Sequence, residues 1–288
     1  MNYSSVFRAG LFAGQSVVVT GGGSGIGRCT AHELAALGAK VALIGRKAEK
    51  LDKVREEIAA AGGHATTHAC DIRDEEQVCA TVDAILAVHG RIDGLVNNAG
   101  GQFPAPLESI SKKGWEAVVA NNLTGGFLMM REVFLQSIQA RGGAIVNMTA
   151  DFRNGMPGMA HSGAARAGMA NLTQTAAFEW ARAGVRVNAV APGWISSSGM
   201  DTYAEPMKSG IKQLRHHVPL KRMALEAEVS APIVFLLSPA AAFITGITVQ
   251  IDGGVTLGNS SLPKPEHQRA EAFDGFHRAV MPEVLKNT

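Results

Sequence analysis

A glycine-rich stretch near the N-terminus has the residue types needed to hold a phosphate group. It comprises Gly21, Gly22, Gly23, Ser24, Gly25, Ile26 and Gly27. The stretch follows a β-branched run, Ser16 to Thr20, and precedes a helical pattern that begins near Arg28. A backbone without Cβ atoms can turn sharply and approach a pyrophosphate closely, and a helix N-terminus offers N–H groups to it. The order of strand, loop and helix therefore predicts a dinucleotide-binding loop, with an ordinary tight turn as the weaker alternative.

Basic residues follow the second predicted strand, at the position where a carboxylate would bind the ribose hydroxyls of NAD. The residues there are Gly45, Arg46 and Lys47, so no acidic side chain is available. Together with Arg28, the two basic residues could pair with a 2′-phosphate, because guanidinium groups form bidentate charged hydrogen bonds with phosphate. The pattern favours NADP(H) as the cofactor, and a solvated basic turn is the alternative.

Further candidate binding residues follow the third and fourth predicted strands. Asp71 and Ile72 come after the third strand and are placed to meet an adenine ring. Asn98, Ala99 and Gly100 come after the fourth strand and bring small residues beside the adenosine ribose. Ligands of open parallel sheets bind outside the carboxyl ends of the strands, so these positions belong to the same expected site.

Short β-branched runs alternate with longer helical patterns along the chain. The predicted strands are Ser16 to Thr20, Lys40 to Ile44, Ala65 to Cys70, Asp93 to Asn97, Ala144 to Met148, Val185 to Val190 and Thr248 to Ile251. Apolar residues between them keep helical spacing, as Leu51, Val54 and Ile58 do. The alternation predicts an α/β fold: a single Rossmann-type doubly wound domain whose seven-stranded parallel sheet is covered on both faces.

We expect this domain to span residues 1–257 and a C-terminal tail to occupy residues 258–288. The tail is polar and contains prolines, and the spacing of Phe273, Phe276 and Val280 predicts a weakly amphipathic helix within it. Such a tail either docks on a neighbouring subunit or frays.

Bulk composition argues against several classes of partner. The 288 residues are 46% hydrophobic and carry a formal net charge of +2, so nothing favours a nucleic acid or a membrane surface. Cys29, Cys70 and Cys79 show no CxxC spacing, so neither a disulfide framework nor a metal site is expected. Residues 229–251 are uncharged, but Pro232 and Pro239 interrupt them, and the stretch reads as a buried helix, a loop and a strand. A cytoplasmic protein is the simplest expectation.

Several motifs occur here in the order found in the short-chain dehydrogenase/reductase family, which the chain resembles from about Gly14 to Gly254. The shared motifs are the TGxxxGxG loop, the Asp after the third strand, NNAG at 97–100, NLTG at 122–125 and Pro192-Gly193 after the sixth strand. The resemblance implies a small-molecule substrate and a nicotinamide cofactor that contacts Pro192, Gly193 and Ile195. It also implies that the variable loop ending near Arg222 covers the substrate.

The resemblance further implies a homotetramer. Its interfaces would involve the long helices around Trp115 to Gln139 and His161 to Ala183, together with the region of the last strand. These helices carry more apolar side chains than one face of a sheet needs, namely Phe127, Met130, Phe134, Phe178 and Trp180.

The catalytic pattern of the family is not kept. The family commonly uses a Ser, a Tyr-x-x-x-Lys pair and an Asn, and the Tyr gives a proton as hydride arrives. At the matching positions the chain has Ala150, Ser162, Arg166 and Asn122. Its two tyrosines, Tyr3 and Tyr203, have no lysine four residues later. Because a serine hydroxyl is far less acidic than a phenol and arginine keeps its proton, ordinary alcohol oxidation is disfavoured.

Asn122, Ser162 and Arg166 are nevertheless the candidate catalytic residues. Ser162 and Arg166 lie one turn apart on a predicted helix that begins near His161. Arg166 would hold the nicotinamide ribose, and Ser162 and Asn122 would donate hydrogen bonds to a substrate oxygen. His161 and Asp151 are further candidates for moving a proton, with a structural role as the alternative.

A narrower resemblance accounts for the altered pattern. The stretches NNAGGQF, LTGGF, HSGAARAG, LLSPAAAFITG and IDGG look like the peroxisomal trans-2-enoyl-CoA reductases, which reduce carbon–carbon double bonds in acyl-CoA thioesters. The tyrosine of that branch falls on Ala170 here. The resemblance implies NADPH-dependent enoyl-CoA reduction, with CoA phosphates near a basic set that could equally form a solvated face: Lys208, Lys212, Arg215, Lys221 and Arg222.

Two other functions stay open. One is the dehydrogenation of a hydrophobic alcohol with a branched or terpenoid chain, with an unusual base such as His161. The other is a catalytically silent protein that binds the cofactor, since a fold does not fix a function.

Overall fold

The computed structural model describes residues 2–205, 207–257 and 262–286. The strands within these residues are β1 Ser16–Thr20, β2 Lys40–Gly45, β3 His64–Ala69, β4 Gly94–Asn97, β5 Gly143–Met148, β6 Val185–Pro192, β7 Ile195–Ser196, β8 Ala224–Leu225 and β9 Thr248–Ile251. The helices are α1 Gly25–Ala36, α2 Ala48–Ala60, α3 Glu75–His89, α4 Lys112–Val119, α5 Gly125–Val133, α6 Gln139–Arg141, α7 Ala160–Trp180, α8 Met207–Gly210, α9 Leu214–His217 and α10 Glu226–Leu237.

Seven strands form one parallel sheet in the order β3-β2-β1-β4-β5-β6-β9. The prediction of a single doubly wound α/β domain with a seven-stranded parallel sheet is confirmed. The chain builds outward from β1 to β3 and then returns to place β4 on the other side of β1. This reversal opens a crevice at the carboxyl ends of β1 and β4, where doubly wound folds bind ligands. The two-residue strands β7 and β8 pair separately and were not predicted, because two residues carry no periodicity.

Apolar cores lie on both faces of the sheet. On β1, Val17 and Val19 belong to one core, while Val18 between them belongs to the other. All three valines are essentially inaccessible to solvent. Burial on both faces explains why the central strands are continuous apolar runs instead of alternating ones.

Helices α4, α5 and α6 form a nearly continuous rod that is interrupted by two π-helical turns, Ala120–Thr124 and Phe134–Ile138. Such turns insert an extra residue and are frequent at functional sites. The first of them contains Asn122, which is buried.

The C-terminal tail does not form the predicted helix. Residues 262–282 carry no helix, and a single 3-10 turn follows at Glu283–Leu285. Phe276 is buried against Tyr3, Cys29 and Ala227, whereas Val280 is exposed. The prediction was wrong because a chain without helix already brings Phe273 and Phe276 onto the same apolar cluster, in which Val280 takes no part. The described part of the tail packs on its own chain, and residues 258–261 and 287–288 of the predicted tail lie outside the described residues.

The uncharged stretch 229–251 divides as expected into most of α10, a turn and β9. Among the described residues, no helix has both the length and the apolar character needed to cross a bilayer.

Candidate active site

The glycine loop forms a tight cradle at the carboxyl end of β1. A Cβ on Gly27 would collide with the carbonyl oxygen of Gly21 and come within 2.5 Å of the Asn98 Nδ2 atom. Gly21 has a φ of +67°, which favours glycine. Helix α1 begins at Gly25, and the side chain of its N-cap, Ser24, makes no capping hydrogen bond. The first N–H groups of α1 therefore remain available to an anion.

Asn98 fastens this cradle to the end of β4. Its Nδ2 donates to the carbonyl oxygen of Thr20 at 2.9 Å, and the Thr20 hydroxyl accepts from the N–H groups of Asn98 and Ala99. These hydrogen bonds hold Asn98 beside the glycine loop.

Most of the residues predicted to meet the adenosine line a small cavity of about 130 Å³. Its lining includes Gly21, Arg46, Asp71, Ile72, Ala99 and Gly100. Arg46 and Lys47 are exposed, and neither forms an ion pair within the described part of the chain. The Asp71 carboxylate is hydrogen-bonded to Arg73, which lowers its pKa to about 2. The cavity therefore combines a fixed carboxylate, Asp71, with one cation that has no ion-pair partner among the described residues, Arg46, and Lys47 follows Arg46 in the chain.

Arg28 does not belong to that cationic group. Its Nε donates to Glu57 at 2.8 Å, its Nη1 donates to the Arg278 carbonyl at 3.3 Å, and its guanidinium lies over the Phe276 ring. The prediction that Arg28 binds a 2′-phosphate was wrong, because Glu57 already neutralises it. Glu57 and the tail are far from Arg28 in sequence, so the sequence carried no sign of this pairing.

A second cavity, of about 410 Å³, lies at the carboxyl ends of β4, β5 and β6. Its lining includes four residues predicted on the nicotinamide side, Arg166, Pro192, Gly193 and Ile195. Asn98 and Gly100, which were predicted beside the adenosine ribose, line it as well. The other wall comes from residues that follow β7, namely Met200, Tyr203, Ile211 and Leu214. The cavity has the location expected for a substrate beside a nicotinamide.

Asn122 and Ser162 surround the loop that leads into this cavity. The Asn122 Oδ1 accepts from the Gly101 N–H at 2.9 Å, and its Nδ2 donates to the Gly101 carbonyl oxygen at 3.0 Å. The Ser162 hydroxyl donates to the Gln102 Oε1 atom at 2.8 Å, and Ser162 is completely buried. Both side chains that were predicted to contact substrate therefore bind the 101–102 loop in this structure.

Arg166 is buried beside the same loop without a carboxylate partner. Its Nη1 donates to the Met148 carbonyl oxygen at 2.7 Å, while its buried Nε has no hydrogen-bond partner within the described residues. A Cβ on Gly100 would come within 2.5 Å of Nη2, so a larger residue there would displace the guanidinium. Burial lowers the pKa of Arg166 to about 10, so the side chain stays charged at neutral pH.

Gln102 and Tyr203 were missed by the sequence analysis, and both line the cavity. The Gln102 Nε2 atom lies 3.5 Å from the Tyr203 hydroxyl. Tyr203 was set aside because it lacks a lysine four residues later, and Gln102 was given no role although it lies in the stretch NNAGGQF. The nearest available signal was the position of Gln102 directly after NNAGG.

Two other predicted groups are engaged elsewhere. His161 is completely buried, and its Nδ1 accepts a hydrogen bond from the Ser162 N–H. Its ring packs edge-to-face on the Phe103 ring, with ring centroids 4.5 Å apart.

Two basic residues of the loop before α10 have acidic partners. Lys221 pairs with Glu266, and Arg222 forms a bidentate pair with Glu228. These two basic residues serve the packing of the tail, which corrects the expectation that all five basic residues of the loop are available to CoA.

Comparisons with known proteins agree with this geometry. A family model described as Enoyl-(Acyl carrier protein) reductase matches residues 21–256. A probable 2,4-dienoyl-CoA reductase of Bacillus subtilis is 35% identical over 243 residues, which cover 83% of this chain and 96% of the relative. The structure of a citronellol catabolism dehydrogenase of Pseudomonas aeruginosa is 61% identical with a TM-score of 0.81, over 88% of this chain and 100% of that one. An NAD+-bound xylitol dehydrogenase is 32% identical with a TM-score of 0.79, over 84% and 99%.

The family match begins at the glycine loop and ends just beyond β9, so it covers both cavities. The relatives include a reductase and dehydrogenases whose names give different substrates, and one of the dehydrogenases is bound to NAD+. On these grounds the chain belongs to the short-chain dehydrogenase/reductase family and is an oxidoreductase that uses a nicotinamide cofactor.

Proposed function

We propose that this protein uses NADPH to reduce the C2–C3 double bond of an α,β-unsaturated acyl-CoA thioester. The observation that carries the proposal is the loss of the family's proton-exchanging pair. Ser162 stands where the tyrosine is expected and is tied to Gln102, and Arg166 stands where the lysine is expected. Interconversion of an alcohol and a carbonyl needs a group that exchanges the hydroxyl proton. Reduction of an enoyl thioester needs hydrogen-bond donors for an enolate oxygen, and its Cα can take a proton from water.

The proposed cofactor fits the residues present. The cradle leaves no room for a Cβ at Gly27, the N-terminus of α1 is uncapped, and the buried Nε of Arg166 lacks a partner. The glycine loop would bind the pyrophosphate, Arg166 the nicotinamide ribose, and Arg46 and Lys47 the 2′-phosphate. When bound, the reduced nicotinamide supplies the hydride.

Residues that line the larger cavity would stabilise the substrate as its double bond is reduced. The hydride is added at Cβ, the electron pair of the double bond moves toward the thioester oxygen, and a proton is added at Cα, which gives the saturated thioester. Donors at the cavity wall stabilise the negative charge on the oxygen. Met200, Ile211 and Leu214 exclude water and accept the acyl chain. Lys208, Lys212 and Arg215, which form no pair with an acidic side chain within the described residues, are the remaining candidates for the CoA phosphates.

A second candidate is the dehydrogenation of a branched, terpenoid alcohol. It is favoured by the 61% identity with the citronellol catabolism dehydrogenase. The burial of His161 counts against it, since that imidazole was its proposed base and has no access to the cavity.

An assay of both directions separates the two candidates. The protein would be mixed with NADPH and straight-chain or branched trans-2-enoyl-CoA thioesters, and separately with NADP+ and alcohols such as citronellol, while the absorbance of the reduced nicotinamide is followed. We expect NADPH to be consumed with the thioesters and no NADPH to form with the alcohols. Turnover of alcohols without turnover of thioesters would reject the proposal, and NADPH binding without any turnover would indicate a silent cofactor-binding protein.

A further inference from the structure

The side-chain amide of Gln102 is held in one orientation. The buried Ser162 hydroxyl donates to its Oε1 at 2.8 Å. An amide carries its oxygen and its NH2 group on opposite corners, so fixing the oxygen against Ser162 directs the NH2 group away from it. Gln102 lines the cavity of about 410 Å³, and its Nε2 lies on the side of Tyr203.

The backbone that carries Gln102 is also fixed. Asn122 forms two hydrogen bonds with the N–H and carbonyl oxygen of Gly101, at 2.9 and 3.0 Å. Asn122 itself is buried within the π-helical turn between α4 and α5. Held by one bond to its side chain and two to the preceding residue, Gln102 has the preorganisation that a site for a developing charge needs.

Tyr203 presents a second donor to the same space. Its ring packs on a small apolar cluster that includes Met200, Ile211 and Val284. The Gln102 Nε2 atom donates to the Tyr203 hydroxyl oxygen at 3.5 Å, which leaves the second N–H of the amide and the tyrosine O–H as donors. A substrate oxygen beside the pair can lie within hydrogen-bond distance of both groups.

Two hydroxyl positions near this point offer no donor. The Thr149 hydroxyl donates to the Val190 carbonyl oxygen at 2.8 Å, and Ala150 replaces the family serine. Gln102 and Tyr203 are side-chain donors of the cavity wall that lie next to each other.

We propose that Gln102 and Tyr203 form the site that binds the carbonyl oxygen of the substrate, and that Ser162 and Asn122 are positioning residues for it. The inference rests on the proposed function, in which this oxygen belongs to the thioester and gains negative charge as Cβ receives hydride. Two neutral donors suit that role, because hydrogen bonds to the oxygen stabilise its developing negative charge.

The test uses Gln102→Leu and Tyr203→Phe in the full-length protein. Leucine keeps most of the volume of glutamine without its donor, and phenylalanine lacks only the hydroxyl. We expect kcat for the enoyl thioester to fall about 100-fold in the first variant and about tenfold in the second. The dissociation constant of NADPH, measured by fluorescence titration, should change by less than about twofold, which controls for folding and cofactor binding. Unchanged kcat in both variants would overturn the inference.

A double-mutant cycle tests the positioning role of Ser162. Ser162→Ala should lower kcat about tenfold in the wild-type background, because the Gln102 amide is then free to turn. In the Gln102→Leu background the same change should have less than a twofold effect, since two residues that act as one unit are not additive. Equal effects in both backgrounds would show a merely structural serine.

The same variants separate this inference from the proposed function. If the wild type oxidises alcohols and ignores enoyl thioesters, the proposed function fails, and the variants measured on the alcohol still test whether this pair binds the substrate oxygen. If the wild type turns over neither class, both proposals are overturned.

Discussion

Individual side chains in this site divide into those that are already engaged and those that are not. Arg28, Asn122 and Ser162 have partners within the chain, whereas Arg46 and Lys47 have no ion-pair partner in the part of it that is described. Motifs identify which positions surround a cofactor, because those positions follow strand ends. Partners distant in sequence, such as Glu57 for Arg28, decide which side chain remains available to a ligand.

Arg46 and Lys47, which have no ion-pair partner among the described residues, predict which cofactor the protein prefers. We expect NADPH to bind at least tenfold more tightly than NADH, a difference of about 1.4 kcal/mol. Arg46→Ala should remove most of that preference and leave NADH affinity nearly unchanged, because only NADPH carries the 2′-phosphate. Fluorescence titration with both cofactors measures the preference. Arg141→Ala is the control, because Arg141 precedes β5 and therefore lies near the amino ends of the strands, away from the cofactor site. Equal affinities of the wild type for the two cofactors would reject the assignment of Arg46 and Lys47.

The cradle predicts a sharp penalty for one methyl group. Gly27→Ala places a Cβ against the Gly21 carbonyl oxygen and Asn98 Nδ2, so we expect a loss of stability of about 1–3 kcal/mol and loss of cofactor binding. Gly210→Ala is the matched control, because no atom lies within 4 Å of its added Cβ and its φ is −78°. Urea denaturation and NADPH titration measure both effects. A Gly27→Ala protein that matches the control would show that close backbone approach is not required.

Whole elements were the most predictable level, and short or irregular ones the least. The seven sheet strands were predicted from short β-branched runs. The central strands are continuous apolar runs because they are buried on both faces. The π-helical turn at Asn122 and the strands β7 and β8 left no comparable pattern. Gln102 was missed for the same reason, because its position depends on that turn and on a buried serine 60 residues away.

Packing of α1 against α10 buries a carboxyl group with a predictable pH effect. Burial raises the pKa of Glu226, at the start of α10, from 4.5 to about 7. A carboxyl whose pKa is higher in the folded state stabilises the fold fully below its unfolded pKa and loses that contribution as pH rises toward 7. Between pH 5 and pH 8, the free energy of unfolding of the wild type should therefore fall by on the order of 2 kcal/mol relative to that of Glu226→Gln. Urea denaturation of both proteins measures this difference, and an equal difference at both pH values would contradict it.

The molecule as a whole carries exposed apolar side chains on the helices expected to form an interface. Phe178 is 86% exposed and Phe127 is 40% exposed. Met130 and Phe134, which were expected on the same surface, are instead buried, and Phe134 stacks on Trp180 with ring centroids 4.2 Å apart. The helical pattern showed an excess of apolar residues but not which of them the core would take.

The remaining surface predicts self-association. Light scattering at micromolar concentration should show a homotetramer, and Phe178→Glu should shift the protein to smaller species by placing a charge in an apolar contact. Val88→Glu, an exposed apolar residue on α3 outside these helices, is the control. A monodisperse wild-type monomer would contradict the expectation.

The most direct test of enoyl thioester reduction follows the hydride itself. NADPH that carries deuterium at the transferable C4 position, prepared separately for each face of the ring, would be incubated with a trans-2-enoyl-CoA thioester, and the product examined by mass spectrometry and NMR. The account predicts one deuterium at C3 of a saturated thioester from one of the two labelled forms, and a solvent-derived proton at C2. An unlabelled thioester would contradict it, above all if a parallel incubation with a ketone or aldehyde gave an alcohol that carries deuterium at its carbinol carbon.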